Sequence, residues 1–364
     1  MRTSARPKGT QMNSATARRP RWGRATRNLL RWIRNGMLGL LGLLSAATLA
    51  GRVQQARLQR AHPAPGGLVD VGGHELHVLQ AGAGGPTVVF ENGQGGMALD
   101  WHYVQPEIAA QSATLAYDRA GMGWSEPGPG PRDLPVLVDE LRAVLHEAGA
   151  PTPYVLVGHS LGGPIVRAYA HTYPDEVAGL VLLDATHEDQ FETFPAAFTA
   201  KADAMAEAMR RQRRVIAAVN ASGIPALFAS AYPDPVASKL PAEVADARRA
   251  VKFMDASTVV SAADEMIALR DSLDHLRRSR QSLGDIPVVV LPAGKALGAE
   301  AAVPEGLEGD VEAARQTMQE DLATVSTNAR RVVADGSGHF IHVERPDLVT
   351  DAVRQVLEEA AADA

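Results

Sequence analysis

From residue 67 onward, short apolar runs alternate with stretches whose apolar residues recur every third or fourth position. LVDVGGHELHVLQAG reads as a β-hairpin turning at Gly72-Gly73. PTVVFENG, ATLAYDRAG, YVLVGHS, GLVLLD, IPVVVLPAG and ARRVVADG read as further strands, most apolar throughout and so buried on both faces. Between them, LPVLVDELRAVLHEAG places apolar residues at 134, 137, 138, 141, 144 and 145, the stripe of an amphipathic helix. A second helix follows YVLVGHS and ends near Tyr173-Pro174, and a third lies around Val311–Val325. PDLVTDAVRQVLEEAA closes the pattern, its helix started by Pro346 and Asp347.

Strands alternating with helices predict βαβ units and an α/β fold: a mostly parallel central sheet with helices on both faces. The pattern assigns residues 67–186 and 285–362 to that core. Residues 187–284 carry no strand signal, only Ala-, Arg- and Met-rich helical stretches. A crossover needs only about a dozen residues, so this segment is expected to be an inserted helical cap.

The N-terminal part has a different texture. No Asp or Glu occurs before Asp70, while arginines recur at 2, 6, 18, 19, 21, 24, 27, 31 and 34. Residues 1–35 read as a basic, disordered or juxtamembrane tail. Residues 36–51 (GMLGLLGLLSAATLAG) are apolar, shorter than the ~20 residues that a spanning helix prefers but within reach of a short span. Residues 52–66 read as a linker closed by Pro63 and Pro65. The basic side precedes the apolar run, which leaves the N-terminus in the cytoplasm and sends the remainder across a membrane. A retained signal anchor, a signal peptide cleaved after Ala50 and a soluble basic tail are the competing readings.

Composition narrows the chemistry. The chain has 364 residues, 46% hydrophobic and 21% charged, with net charge −6, which gives no sign of a nucleic-acid partner. It has no cysteine, which excludes disulfides, thiolate nucleophiles and cysteine-ligated metals. No metal-site spacing, phosphate-binding glycine loop or dinucleotide fingerprint occurs, so no cofactor is expected.

The strongest chemical signal is Gly158-His159-Ser160-Leu161-Gly162, a G-x-S-x-G set between a strand and a helix. Such a turn lifts one serine above the sheet, and Gly158 and Gly162 let strand and helix approach closely around it. Ser160 is therefore the candidate nucleophile, and the Leu161 amide, opening the next helix, suits a developing oxyanion. A serine hydroxyl needs a base, and that base an orienting acid. His339, on a loop between Gly336-x-Gly338 and the last helix, is the candidate base, with His342 as competitor.

At these residues the chain resembles the α/β-hydrolase family. The resemblance covers about residues 68–360 and rests on four motifs in the family's order. They are Glu91-Asn92-Gly93-Gln94-Gly95-Gly96, Tyr117-Asp118-Arg119-x-Gly121-x-Gly123-x-Ser125, Gly158–Gly163, and Gly338-His339-Phe340 with Glu344-x-Pro346. It implies Ser160 as nucleophile, His339 as base, and an oxyanion hole from the backbone amides of Gln94 and Leu161. Many members carry the acid after the strand that here reads IPVVVLPAG, but that loop has no Asp, and Glu300 and Glu305 lie well beyond the strand end. Other members carry it after the strand following the nucleophile helix, which here implies Asp184. Asp118 and Arg119 read as structural, pinning the loop after their strand.

The expected activity is hydrolysis of a small-molecule acyl compound, most simply a carboxylic ester, through a Ser160-His339-Asp184 triad. Met97, Trp101 and Trp124, on sheet-top loops, and His187, after a strand, either line the pocket or pack locally. The same triad could serve an amide, lactone, thioester or C–C bond, or acyl transfer. The rival from another class is a catalytically silent binding protein tethered to a membrane.

Overall fold

The computed structural model describes residues 23–297 and 303–362. The chain divides into two units, residues 1–47 and 48–364. Helix α1 (Arg24–Ala61) begins in the first, where the leucines of the apolar run are exposed. Among the described residues it is the one unbroken helix long and apolar enough to cross a membrane, compatible with a signal anchor or transmembrane segment.

Residues 52–61, expected to be linker, are helical. The two prolines at 63 and 65 suggested an extended segment, but RVQQARLQRA upstream of them contains neither Gly nor Pro and is rich in helix formers. This end of α1 also has packing partners. Leu58 packs beside Met97, Val251, Met254 and Phe253, and Gln59 Nε2 donates to the Met254 carbonyl at 3.1 Å.

The second unit is built on one eight-stranded sheet. Its strands are β1 (Gly67–Asp70), β2 (Glu75–Ala81), β3 (Thr87–Glu91), β4 (Thr114–Tyr117), β5 (Tyr154–His159), β6 (Val177–Leu183), β7 (Val288–Leu291) and β8 (Ala329–Arg331). They lie in the order β1-β2-β4-β3-β5-β6-β7-β8, with β1–β2 and β2–β4 antiparallel and every other pair parallel. The expected long last strand is short. Val332 and Val333 are partly exposed, and Ala334 returns to bridge Ala293.

Helices cover both faces. α2 (Gln105–Ala109) follows β3; α3 (Leu134–Glu147) and α4 (Gly162–Thr172) flank β5. Alternate residues of β5 enter two cores: Tyr154 and Leu156 join α3 and α4, while Val155 and Val157 join α2 and the final helix. Burial on both faces explains why these strands are apolar throughout rather than alternating.

Between β6 and β7 the described chain is helical: α5 (Gln190–Thr193), α6 (Ala196–Ala221), α7 (Ala242–Val251) and α8 (Ser257–Ser279), with a 3₁₀ helix at Ile224–Ala231. α9 (Glu308–Leu322) joins β7 to β8, and α10 (Ile341–Glu344) and α11 (Pro346–Ala362) end the fold.

Candidate functional site

Ser160 follows β5, Asp184 follows β6, and His339 lies on the loop between β8 and α10, so all three stand beyond the carboxyl ends of parallel strands. β5 adjoins β3 where the strand order reverses, the place where a parallel sheet opens a crevice.

Among the described residues, Ser160 and Asp184 are the two non-glycines with positive φ, at 52° and 37°. Each such conformation costs of the order of 1–3 kcal/mol and persists where the surroundings enforce it. At Ser160 they do. Its amide donates to the Leu183 carbonyl at 3.1 Å, and its carbonyl accepts from Gly163 and Thr186 at 3.0 Å each. A Cβ on Gly162 would lie 2.5 Å from the Glu91 carbonyl oxygen, so α4 starts directly against the end of β3. A Cβ on Gly93 would lie 3.1 Å from Ser160 Cβ, which puts the 92–96 turn beside the serine. Among the described residues, neither the Gln94 nor the Leu161 amide has an acceptor within the protein. Both remain available to a ligand oxygen.

His339 Nδ1 and Asp184 Oδ2 are 2.7 Å apart. The carboxylate accepts, so Nδ1 carries the hydrogen and Nε2 keeps a free lone pair. The other carboxylate oxygen accepts from Arg315 Nη1 at 2.7 Å and the Ala293 amide at 3.1 Å. Burial pushes the Asp184 carboxyl up, but its hydrogen bond to His339, the charges of His339 and Arg315, and the Ala293 amide together hold it down to about 2. Asp184 is therefore an anion at neutral pH, although 5% exposed. Ser160 Oγ makes no hydrogen bond among the described residues, but Ser160, Asp184 and His339 line one cavity of about 330 Å³. A loose serine–histidine pair is common when no substrate is bound.

The cavity wall is apolar: Phe191 of α5, Phe194 and Phe198, Met266 and Leu269 of α8, and Met318 of α9. Of the side chains weighed as lining, His187 borders this cavity; its Nδ1 accepts from the Asp189 amide and its Nε2 donates to Asp321, each at 3.0 Å. Met97, Trp101 and Trp124 do not border it. Met97 is buried against Ala250, Val251 and Met254. Trp101 is enclosed by Phe90 and His342, and Trp124 stacks on His77 and donates to the His62 carbonyl at 3.0 Å. Large apolar side chains on these loops found core partners instead.

Of the alternative acids, Glu305 is exposed and Glu300 lies outside the described residues. His342 is buried among Trp101, His159 and Phe340, and burial, with the nearby charges of His339 and Arg248, lowers its pKa to about 3. Asp118 accepts from the Ala98 and Trp124 amides and meets His77, which holds its loop. Arg119 bonds Glu91 Oε1 at 2.6 Å, the carbonyls of Asn92 and Gly93 at 2.7 and 2.8 Å, and both Glu265 oxygens at 2.7 and 3.0 Å.

Three residues of this site carried no sequence signal for their part in it: Arg315, Glu265 and His159, whose Nε2 reaches the His339 carbonyl. Among the described residues, no cluster of three or more His, Asp or Glu side chains converges as a metal site.

A sequence profile of the alpha/beta hydrolase fold matches residues 86–273. The chain is 30% identical over 131 residues to the uncharacterized protein YbdG of Bacillus subtilis; the match covers 35% of this chain and 40% of YbdG. Among solved structures, it is similar to the epoxide hydrolase CorEH (TM-score 0.61, 20% identity, covering 80% of this chain and 98% of that one). It is also similar to an esterase from Thermogutta terrifontis (TM-score 0.54, 22% identity, covering 79% and 94%). At these identities the two structures speak to the fold alone.

Proposed function

The chain belongs to the α/β-hydrolase fold family, and from that premise we propose that it is a serine hydrolase of acyl compounds, most simply a carboxylic ester hydrolase. The observation that carries the reading is the His339–Asp184 hydrogen bond at the wall of a cavity that Ser160 shares.

With Nδ1–H committed to Asp184, His339 Nε2 is the basic atom. It takes the Ser160 proton as Oγ attacks the substrate carbonyl. The oxyanion accepts from the Gln94 and Leu161 amides, each such donor typically worth ~3 kcal/mol. The tetrahedral intermediate collapses, His339 returns the proton to the leaving alcohol, and an acyl-Ser160 ester remains. Water, deprotonated by His339, then attacks that ester, and His339 returns the proton to Ser160 Oγ as the acid leaves. Asp184 stays ionised throughout and stabilises the imidazolium. A serine at 160 speaks against epoxide opening through an aspartyl ester.

The segment 187–284 acts as a cap, supplying from α5, α6 and α8 the aromatic and aliphatic wall that receives the acyl or alcohol group. We read α1 as a retained signal anchor with its arginine-rich end in the cytoplasm and the catalytic unit on the other side. Cleavage after Ala50 would cut the helix at Gly51, which is buried against Gly223. That packing favours retention.

The test is hydrolysis of p-nitrophenyl esters and labelling by a fluorophosphonate, with purified wild type, Ser160→Ala and Asp184→Asn. Wild type should turn over and label. Ser160→Ala should do neither, and Asp184→Asn should lose ~10³–10⁴-fold in kcat. A folded wild type that neither labels nor turns over would leave the silent binding protein as the better reading.

A further inference from the structure

A second cavity, of about 540 Å³, borders Gln94 and Gly95, the residues next to the glycine that abuts Ser160. This volume falls within the ~300–1,000 Å³ of ligand pockets. Like the first cavity it is walled by α6 and α8, but by the other end of α6, with Met209, Ile216 and Val219, and by the first turns of α8, with Val259. Three of its polar side chains are engaged within the protein, while the buried Thr258 hydroxyl on its wall has no partner among the described residues. Lys252 Nζ bonds Asp234 at 2.6 Å, Gln94 Nε2 bonds the Ala262 carbonyl at 2.9 Å, and Asn220 Nδ2 bonds the Ile216 carbonyl at 2.9 Å. What remains for a ligand is mainly an apolar wall.

The outer rim of this cavity is apolar too. Val215, Val219 and Tyr232 border it and are exposed, and beside them the 3₁₀ helix exposes Leu227 and Phe228, the latter by 64%. A contiguous group of large exposed apolar side chains marks a surface that meets something. The chain indicates what. Gly223, just before the 3₁₀ helix, packs against Gly51 so closely that a Cβ on Gly51 would lie 2.4 Å from its carbonyl carbon. Gly51 is the last residue of the apolar run 36–51. Phe228 follows Gly223 by five residues, roughly 10 Å of 3₁₀ helix. A bilayer that holds the run is therefore within reach of Phe228. Arg52, Arg57 and Arg60, exposed on α1 just past the run, suit the phosphate level of such a surface.

We propose that this second cavity is an acyl-chain channel filled from the lipid bilayer: the rim of Val219, Leu227, Phe228 and Tyr232 rests in the membrane surface, and a long-chain acyl lipid enters there and reaches Ser160 past Gln94. The proposal rests on the serine-hydrolase and signal-anchor readings above.

The test has two arms, both on the full chain in phosphatidylcholine–phosphatidylglycerol vesicles. In the first, Ile216→Trp fills the channel. Tetradecanoyl ester hydrolysis should fall by about 10-fold or more in kcat/KM, while butanoyl ester hydrolysis stays within about 2-fold. Equal effects on both esters, or none, would overturn the channel. In the second arm, the absence of native cysteine allows Phe228→Cys to carry a single environment-sensitive fluorophore. Its emission should shift to the blue and be quenched by spin-labelled acyl chains, while the same label at exposed Gln111→Cys should report water. A label at 228 that reports water would overturn the membrane contact. Because this arm does not use catalysis, it still decides the membrane contact if wild type hydrolyses no ester at all, an outcome that would overturn the hydrolase reading and, with it, the channel's substrate.

Discussion

The imidazole of His159 donates through Nε2–H to the main-chain carbonyl of His339, 2.8 Å away. The residue before the candidate nucleophile thus holds the loop that carries the candidate base. Burial, with the nearby His342 and His339, keeps the His159 pKa well below the ordinary histidine value, so the ring stays neutral. His159→Phe keeps the bulk and loses the donor. A hydrogen bond of ~1–1.5 kcal/mol corresponds to a fall in kcat of about 10-fold, with KM nearly unchanged. His159→Gln, which retains an N–H donor, should recover part of the loss. A fall in folded fraction that fully accounts for the lost rate would assign His159 to packing alone.

Asp184 links the site to acid stability. Its folded pKa of about 2 lies below the ordinary 3.8, so its contribution is present above about pH 4 and is lost as pH falls through 2. Arg315→Met removes one of the charges holding that value down. The acid-unfolding midpoint should move to higher pH, and kcat should fall. An unchanged acid transition would show that His339 and the Ala293 amide suffice.

Gly162→Ala tests the close approach of α4 to β3. The added methyl would sit 2.5 Å from the Glu91 carbonyl oxygen and 3.0 Å from that of Asn92. Both are backbone and cannot swing aside. Urea unfolding should show a loss of ~1–3 kcal/mol, with activity reduced by displacement of the 92–96 turn. A variant as stable and active as wild type would contradict this packing.

His342 makes a pH prediction of the same sign as Asp184, over a higher pH window. Its folded pKa of about 3 lies below the ordinary 6.5, so between those values the unfolded chain binds a proton that the folded one refuses. Stability should therefore rise with pH across that window and level off above it, with a slope of up to ~1.4 kcal/mol per pH unit for this one group. His342→Phe should flatten that slope in a series of thermal melts from pH 4 to 7. A slope identical to wild type would mean that other groups, His159 among them, carry the whole dependence.

What was legible in the sequence was local. The strand, turn and helix around Ser160 occupy about twenty consecutive residues, and their glycines announce the close approaches found at Gly158 and Gly162. The helical character of 187–284 was visible as an absence of strand signals over a long stretch. What escaped was long-range. Arg315 meets Asp184 across 131 residues of chain, and Arg119 meets Glu265 across 146. No periodicity marks a charged side chain that will turn inward. Asp184 could be nominated only through the family resemblance, because the loop after β7 offers no nearby carboxylate in the sequence. Trp101 and Trp124 show the converse: a loop position says that a side chain is near the top of the sheet, not which way it faces. At residues 52–61, two prolines beyond the helix outweighed ten residues of helix formers before them.

Arg119 limits how freely this chain could be re-engineered. One guanidinium is buried between a carboxylate of the sheet, Glu91, and a carboxylate of α8, Glu265, while its remaining hydrogens grip the two carbonyls just ahead of Gln94. A transplanted segment 187–284 that brought no acid at position 265 would leave a cation in the interior with half its counter-charge. The turn beside Ser160 would absorb the imbalance. Exchange of segment 187–284 must therefore carry Glu265 with it to keep the turn beside Ser160 in place.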